Sequence, residues 1–444
     1  MNYFVEITVK LKKIFNISIL EAFYRVFLFK DFFRTTIPCI QQLYVNISLK
    51  KQKKTLAKIR EKQQVTVVFF LQSSSTWKYD KVYRLMEKSN KFNPIVVICP
   101  YNVKLKSSKC ERFRVMKQAE QFAVEQGYTC VSAYDKQKNK WVNIKKTLNP
   151  DIVFFTRPYK DTLPQYYIYN FNDKITCYTG YSYVCVNDFH LNYNLSFHNL
   201  LYYNFVETEI HKNFSEKYSF VKGRNTVVTG APGVENLIDE HTPEDKWKPQ
   251  SERKKRIIWA PHHTIDHTLN VSNFLLYSDF MIDLAKKYEK HIQIAFKPHP
   301  LLKFRLYELW GEQRTEEYYN LWNTMPNTQC EEGYYIDLFL TSDAMIHDSG
   351  SFIVEYLHTL KPVLFTVKNA EVKEKLNLVG LKAIDLHYFA YNDVELEKFI
   401  NNVVLQENDE LLDARKVFFY EYLYPEDKIM PSKKILEILE NDVQ

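Results

Sequence analysis

Short apolar runs that do not alternate with polar residues recur down this chain, and each is followed by a polar turn and a helically spaced stretch. Val65-Thr-Val-Val-Phe-Phe-Leu71 comes first, then polar Gln72–Thr76 and a helix carrying Tyr83, Leu85 and Met86. Further runs in the first half are Pro94–Cys99, Tyr128–Ser132, Pro150–Phe155, Lys174–Tyr178 and Ser182–Val186, with a helix expected over 113–126. The second half repeats the style with Thr226–Gly230, Arg256–Ala260, Ile292–Phe296, Ala344–Ile346 and Val363–Phe365, and a helix over 273–287. A strand buried on both faces reads as a near-continuous apolar run, and such strands belong to parallel sheets covered by helices. With 444 residues the chain is long for one core. The expectation is an α/β protein of two doubly wound domains: a basic arm over 1–62, one domain over 63–220, a second over 221–425, and a C-terminal helix over 426–444.

Composition narrows the function classes. Glycine is scarce, at nine residues, and no G-x-G-x-x-G or Walker pattern is present. The seven cysteines are scattered with no C-x-x-C pair, so neither a zinc site nor a disulfide framework is suggested, and a reducing compartment is the simplest fit. The net charge of +7 is uneven: residues 1–63 hold thirteen Lys and Arg against four Asp and Glu, whereas the other 381 residues carry a balance of −2. In the arm Leu11, Ile14, Phe15, Leu20, Phe23, Phe27, Leu28 and Phe32 recur near helical spacing with basic residues between them. No stretch there reaches the ~18 uninterrupted apolar residues of a spanning helix, and no signal-peptide pattern is seen. The arm is either a surface helix on an anionic membrane or a helix packed on the protein's own core. The slightly acidic body and the lack of a reader motif argue against nucleic-acid binding.

Ligands of doubly wound sheets bind beyond the carboxyl ends of the strands. Three strands of the second half end in polar clusters: Pro261-His262-His263-Thr264, Lys297-Pro-His299-Pro300, and His347-Asp348-Ser349-Gly350-Ser351. Together they put His262, His263, Lys297, His299, His347, Asp348, Ser349 and Ser351 on one rim. Imidazole, ammonium and hydroxyl donors around a helix N-terminus suit a diphosphate, and Gly350 permits close approach to the backbone. Glu355, in the helix that follows, is placed to accept the hydroxyls of a ribose. His262 and His263 are adjacent, and an extended segment would point them opposite ways, so one of the two is expected to face the ligand. His267, His291, His358 and His387 read as structural. No i, i+4 histidine pair supports a metal site, and no metal or cofactor is expected.

These residues carry a family resemblance. Phe296-Lys-Pro-His-Pro300, then Ser342-Asp343 and Ile346-His-Asp-Ser-Gly-Ser351 with Glu355-Tyr356 and Lys361-Pro-Val-Leu-Phe365, resembles the CDP-glycerol glycerophosphotransferase family, the teichoic-acid-type polymerases and their capsule and lipopolysaccharide relatives. Trp259-Ala-Pro-His-His263 and Val228-Thr-Gly-Ala-Pro232 resemble two further motifs of that family. The resemblance implies a GT-B fold, two Rossmann-like domains facing a cleft with the donor held by the second. It implies that His299 and the Ser349–Ser351 turn contact the donor diphosphate and Glu355 the ribose. The Asp348–Ser351 turn also resembles that of UDP-N-acetylglucosamine 2-epimerases. The family's Trp-His-Gly-Thr-Pro-type motif, whose histidine acts as base, is missing; Ile175–Tyr183 occupies its place. The general base therefore stays open among His263, His299 and Asp188, with His190 and the Tyr178/Tyr181 pair as further candidates. Arg157, Tyr178 and Tyr181 are expected to line an acceptor site. The implied activity is transfer of a polyol-phosphate group from a CDP-activated donor to a glycan or lipid-linked glycan acceptor, at the cytoplasmic face of a bacterial membrane. A nucleotide-sugar glycosyltransferase, an epimerase and a non-catalytic binder of anionic polymer or membrane are the alternatives.

Overall fold

The computed structural model describes residues 37–102, 109–239, 241–265, 272–368 and 370–444. The apolar arm positions between Leu11 and Phe32, and His267, lie outside the described residues. The described chain divides into two compact units. One comprises the residues up to Tyr181 with Phe189–Val228 and Lys433–Gln444; the other comprises Ser182–Asp188 and Thr229–Ser432.

The first unit is built on β1 (Val65–Leu71), β2 (Phe92–Ile98), β3 (Cys130–Ser132), a small antiparallel pair β4 (Tyr134–Asp135) and β5 (Lys140–Trp141), then β6 (Ile152–Phe155), β7 (Ile175–Thr179), β8 (Tyr203–Val206) and β9 (Thr226–Val228). Its sheet runs β3-β2-β1-β6-β7-β8-β9, and every pairing in it is parallel. Alternate residues of β1 serve two cores. Val65, Val67, Phe69 and Leu71 face a cluster with the helices Asp80–Lys88, Lys109–Glu125 and Pro431–Val443, while Val68 and Phe70 face Phe171, Phe197 and Leu200. Apolar side chains on both faces are what an unalternating strand requires.

The helix Pro38–Arg60 opens the described chain, with Pro38 at its first position, where a missing N–H costs nothing. It packs on the first unit through Val45, Leu56 and Ile59. It also buries Gln52, whose amide donates to Thr176 Oγ1 (3.2 Å) and to the Leu200 carbonyl (3.0 Å). Ile40, Leu43 and Ile47 are left exposed.

The second unit carries β10 (Lys255–Ala260), β11 (Ile292–Phe296), β12 (Thr328–Cys330), β13 (Ala344–His347), β14 (Val363–Thr366) and β15 (Tyr388–Ala390). They form a parallel sheet in the order β12-β11-β10-β13-β14-β15. The second sheet thus follows the 3-2-1-4-5-6 Rossmann order and the first the same order with a seventh strand added at its end; each reverses direction beside its first strand. In the second sheet that switch point lies between β10 and β13, where Ala260 pairs with His347. One face is filled by Trp259, Phe296, Phe274, Met281, Tyr319 and Trp322.

Two assignments differ from expectation. Thr226–Val228 is not the first strand of the second unit; it pairs with β8 as the last strand of the first sheet, Asn204 against Thr226. Ser182–Val186 is not a strand of the first sheet. It is an extended segment clipped to the second unit: Asn377 N–H donates to the Cys185 carbonyl (2.8 Å), and the Asn377 amide donates to the carbonyls of Val184 (2.7 Å) and Val186 (3.4 Å).

Candidate functional site

In the second unit, three strand ends meet at the switch point. β10 runs into Pro261-His262-His263, β11 into Lys297-Pro298-His299, and β13 into Asp348-Ser349-Gly350-Ser351. The three imidazoles come together, with ring centroids 4.3 Å apart for His262–His263, 4.3 Å for His263–His299 and 5.0 Å for His262–His299. The adjacent pair therefore does not diverge as an extended segment would. The chain turns at once after β10, with Ile265 N–H donating to the His263 carbonyl (2.9 Å) and His299 N–H donating to the Pro261 carbonyl (3.0 Å).

Asp348 builds this arrangement. Its buried carboxylate accepts from His262 N–H (2.5 Å), Asn273 N–H (2.6 Å) and Ser272 Oγ (3.1 Å). One oxygen fixes the histidine loop and the other fixes the start of the helix Phe274–Lys287. Burial pushes its carboxyl up to about 6, against the opposing pull of these hydrogen bonds. Asp348 thus holds the site's shape and is directed at protein donors, not at a ligand. His347 is likewise buried: its Nδ1 accepts from Ser349 N–H (3.1 Å), and burial holds the ring well below its ordinary pKa, so it stays neutral. That bond uses one backbone N–H of the turn that was expected for phosphate.

The turn keeps its hydroxyls, with Ser349 Oγ and Ser351 Oγ 3.4 Å apart. The helix behind it is only Phe352–Glu355 before it tightens at Tyr356–Thr359. The helix dipole is therefore weaker than the sequence pattern promised, and hydroxyl and imidazole donors carry more of the weight. Lys297 is buried to its tip, where Nζ donates to the Gly333 carbonyl (2.9 Å) and sits 5.3 Å from the Tyr335 ring centre. Glu355 is buried, accepting from Tyr183 N–H (3.2 Å) and from the Tyr335 hydroxyl. Both carboxylate oxygens meet protein donors in place of the expected ribose. Tyr335, Tyr183, Ser272 and Asn273 were not singled out from sequence; only Asn273, directly ahead of an apolar helix, carried a local signal there.

The protonation states follow from the partners. Burial, with His263 beside it, lowers His262 to about 3, so it is neutral and shares a hydrogen bond with Thr264 Oγ1 through Nδ1 (3.0 Å). Leu301 N–H donates to His299 Nδ1 (3.1 Å), which puts the hydrogen of the neutral ring on Nε2. Ligating atoms of His262, His263 and His299 lie within 4.8 Å of one another, the one such group among the described residues. A metal-bound imidazole donates its second N–H to an acceptor. His299 does the reverse, so its ring suits an anion better than a metal.

In the first unit, a second set lies beyond the carboxyl ends of β1, β2, β6 and β7. Arg157 Nε donates to Asp161 Oδ2 (2.6 Å), and the guanidinium lies 4.9, 5.3 and 5.1 Å from the ring centres of Tyr101, Tyr159 and Tyr181. Burial opposes its charge, but Asp161 and the tyrosines outweigh this and hold its pKa above the ordinary value. Tyr178 is buried, and burial drives its hydroxyl well above the usual range, so it is no base at neutral pH. Asp188 is exposed and belongs to the second unit, not to the first as expected; it follows Asn187, whose amide donates to the Glu374 carbonyl (2.6 Å). His190 is exposed in the first unit.

A family described as CDP-Glycerol:Poly(glycerophosphate) glycerophosphotransferase matches residues 185–438, more than half of the chain. No curated protein sequence matches significantly. Among solved structures, the wall teichoic acid polymerase TagF, in a variant soaked with CDPG, is similar at 13% identity and a TM-score of 0.53, over 93% of this chain and 97% of its own. UDP-GlcNAc 2-epimerase from Neisseria meningitidis bound to UDP-GlcNAc is similar at 15% identity and a TM-score of 0.53, over 85% of this chain and 100% of its own. A UDP-N-acetylglucosamine 2-epimerase from Listeria monocytogenes matches at 13% identity and a TM-score of 0.50, over 85% of this chain and 96% of its own. Likeness at these identities establishes the GT-B-type α/β fold and leaves the chemistry to the site.

Proposed function

The chain belongs to the CDP-glycerol:poly(glycerophosphate) glycerophosphotransferase family, and on that premise we propose that it moves a glycerol-phosphate-type group from a CDP-activated donor onto a hydroxyl of a cell-surface glycan. Capsule, teichoic acid and lipopolysaccharide are the acceptor classes in view. The observation that carries the reading is the convergence of His262, His263 and His299 at the switch point of the second sheet, beside the Ser349 and Ser351 hydroxyls. The acceptor oxygen bonds to the β-phosphorus as the bond from that phosphorus to the bridging oxygen breaks, and CMP leaves with the electron pair. His299, with its hydrogen on Nε2, suits donation to a diphosphate oxygen. His263 is then the ring of the three left to take the acceptor's proton, and exposed Asp188 is the weaker candidate. No metal or other cofactor enters this scheme.

Exposed Ile40, Leu43 and Ile47, followed by exposed Lys50, Lys51, Lys53, Lys54 and Lys58, support peripheral placement at the anionic inner face of a bacterial membrane. A thermal-shift panel of CDP-glycerol, CDP-ribitol, UDP-sugars and CMP tests the donor class. A ligand at a hundred times its dissociation constant stabilises by about 2.7 kcal/mol, so CDP-glycerol raises the melting temperature and His299→Ala removes most of the rise. Silence across the panel sinks the enzyme reading. A response to UDP-sugars without CDP-glycerol favours the second reading, a nucleotide-sugar transferase, which the epimerase-like Asp348–Ser351 turn supports.

A further inference from the structure

Two buried imidazoles stand behind the Ser349–Ser351 turn, and the chemistry above uses neither as acid or base. His347 closes β13, and His387 lies between the helix Leu378–Ile384 and β15. Their ring centroids are 5.3 Å apart with the planes at 65°, and Phe365 and Phe352 pack against His347. In each ring Nδ1 is already engaged: His387 Nδ1–H donates to the Ala383 carbonyl (3.0 Å), and His347 Nδ1 accepts from Ser349 N–H (3.1 Å). Both Nε2 atoms are buried, and neither has a hydrogen-bond partner among the described residues. We infer that His387 is a positioning residue: its Nε2 accepts the Nε2 hydrogen of His347, directly or through one water, and so holds the turn in the shape that offers the Ser349 and Ser351 hydroxyls to the donor diphosphate. The diphosphate part rests on the transferase reading above.

A neutral imidazole has one donor and one acceptor nitrogen. The bond to Ala383 therefore leaves His387 Nε2 with a lone pair, and the bond from Ser349 leaves His347 Nε2 with the hydrogen. The two orphaned atoms are one acceptor and one donor in neighbouring buried rings, where an unmet polar group costs about 1–3 kcal/mol. His347 also has a second choice. Its Nδ1 is 3.1 Å from the Ser349 carbonyl as well as from the Ser349 N–H, so the other tautomer would donate to that carbonyl and aim its hydrogen at the N–H. The turn offers both choices, and an acceptor for Nε2–H selects the one seen here. Charge is not the means. Burial lowers His347 well below its ordinary pKa and His387 to about 3, the Arg415 guanidinium adding to the latter. Arg415 is itself paired with Asp409, and Asp348, next to His347 in sequence, is turned to the N–H groups of His262 and Asn273. Both rings are thus neutral at pH 7, and the link between them is one of tautomers.

Nitrogen-15 NMR of the histidine-labelled full chain at pH 7 reads both tautomers, each ring assigned by the loss of its signals when it is replaced by Gln. The wild type carries hydrogen on His347 Nε2 and on His387 Nδ1. His387→Phe keeps a flat ring and removes the acceptor: His347 shifts toward the Nδ1–H tautomer, and CDP-glycerol binds roughly two- to tenfold more weakly, the range of one neutral hydrogen bond. His387→Gln, whose amide oxygen can take the place of Nε2, stays near the wild type in both readouts. The inference is overturned by the opposite hydrogen placement in either wild-type ring, or by His387→Gln behaving like His387→Phe. It is equally overturned if His387→Phe leaves either the His347 tautomer or the CDP-glycerol affinity unchanged; lost affinity with an unmoved tautomer marks a merely structural ring. Should His387→Phe not fold, the wild-type tautomers and the Gln variant decide. A wild type that does not bind CDP-glycerol sinks the transferase reading, while the tautomers, read without ligand, still judge the pair.

Discussion

Asp348 lies under the proposed donor site, and its replacement has an effect whose pH dependence can be worked out. The wild-type carboxylate accepts from two backbone N–H groups and one hydroxyl. Asp348→Ala removes three charge-assisted bonds of about 2 kcal/mol each. The wild-type carboxyl is raised from 3.8 to about 6 because burial outweighs the hydrogen bonds it accepts, and these two pKa units are a net ionisation penalty of about 3 kcal/mol at pH 7 that already includes those bonds. Because the folded-state value lies above the unfolded one, the wild type bears the full penalty above pH 6 and none below about 3.8, so its stability falls as pH rises between them. The alanine variant lacks this slope. The gap between wild type and Asp348→Ala therefore widens by about 1 kcal/mol on going from pH 7 to pH 5. Urea titration read by hydrogen exchange in β10 and β13 peptides reports the second unit by itself. A gap that is constant or narrows on acidification refutes the account of a desolvated carboxylate.

Two further perturbations address other parts of the chain. Gly380 lies against the Cys185 carbonyl, and a Cβ there would also meet the Leu376 Cβ at 3.1 Å. Gly380→Ala is thus expected to cost ~1–3 kcal/mol as overpacking and to loosen the 182–188 clip; limited proteolysis should cut there faster than in wild type, and an unchanged cleavage rate contradicts the packing described. Lys50, Lys51 and Lys54 are exposed on the helix Pro38–Arg60. Their joint replacement by Gln should lower partitioning onto phosphatidylserine vesicles by roughly a hundredfold, at ~1 kcal/mol per charge. Cosedimentation that does not change would remove the electrostatic part of the membrane proposal.

Both parallel sheets were legible because strands such as Val65–Leu71 and Ile292–Phe296 are apolar on both faces. Among the strands that escaped, β8 and β12 carry buried polar residues: Asn204 in β8, and Thr328 and Gln329 in β12, look like loop in a hydropathy pattern. Thr226–Val228 was recognised as a strand, but its sheet depends on pairing with β8, which no local pattern encodes. The rim of strand-end clusters was visible for a similar reason, since carboxyl-end placement follows from topology. What each side chain does there was not. His262 and Asp348 are 86 residues apart, and Tyr183 and Glu355 are 172 apart. Contacts of that range decide that Asp348 and Glu355 meet protein donors, and that the two adjacent histidines turn toward His299.

The central claim is that this chain breaks the diphosphate of a CDP-activated polyol. Phosphorus NMR of the protein incubated with CDP-glycerol and a surface-glycan primer tests it directly. The account predicts that the paired diphosphate resonances fade as CMP and a new phosphodiester signal grow together, with both changes lost in His299→Ala. CDP-glycerol that stays intact while a UDP-sugar is consumed under the same conditions would contradict it.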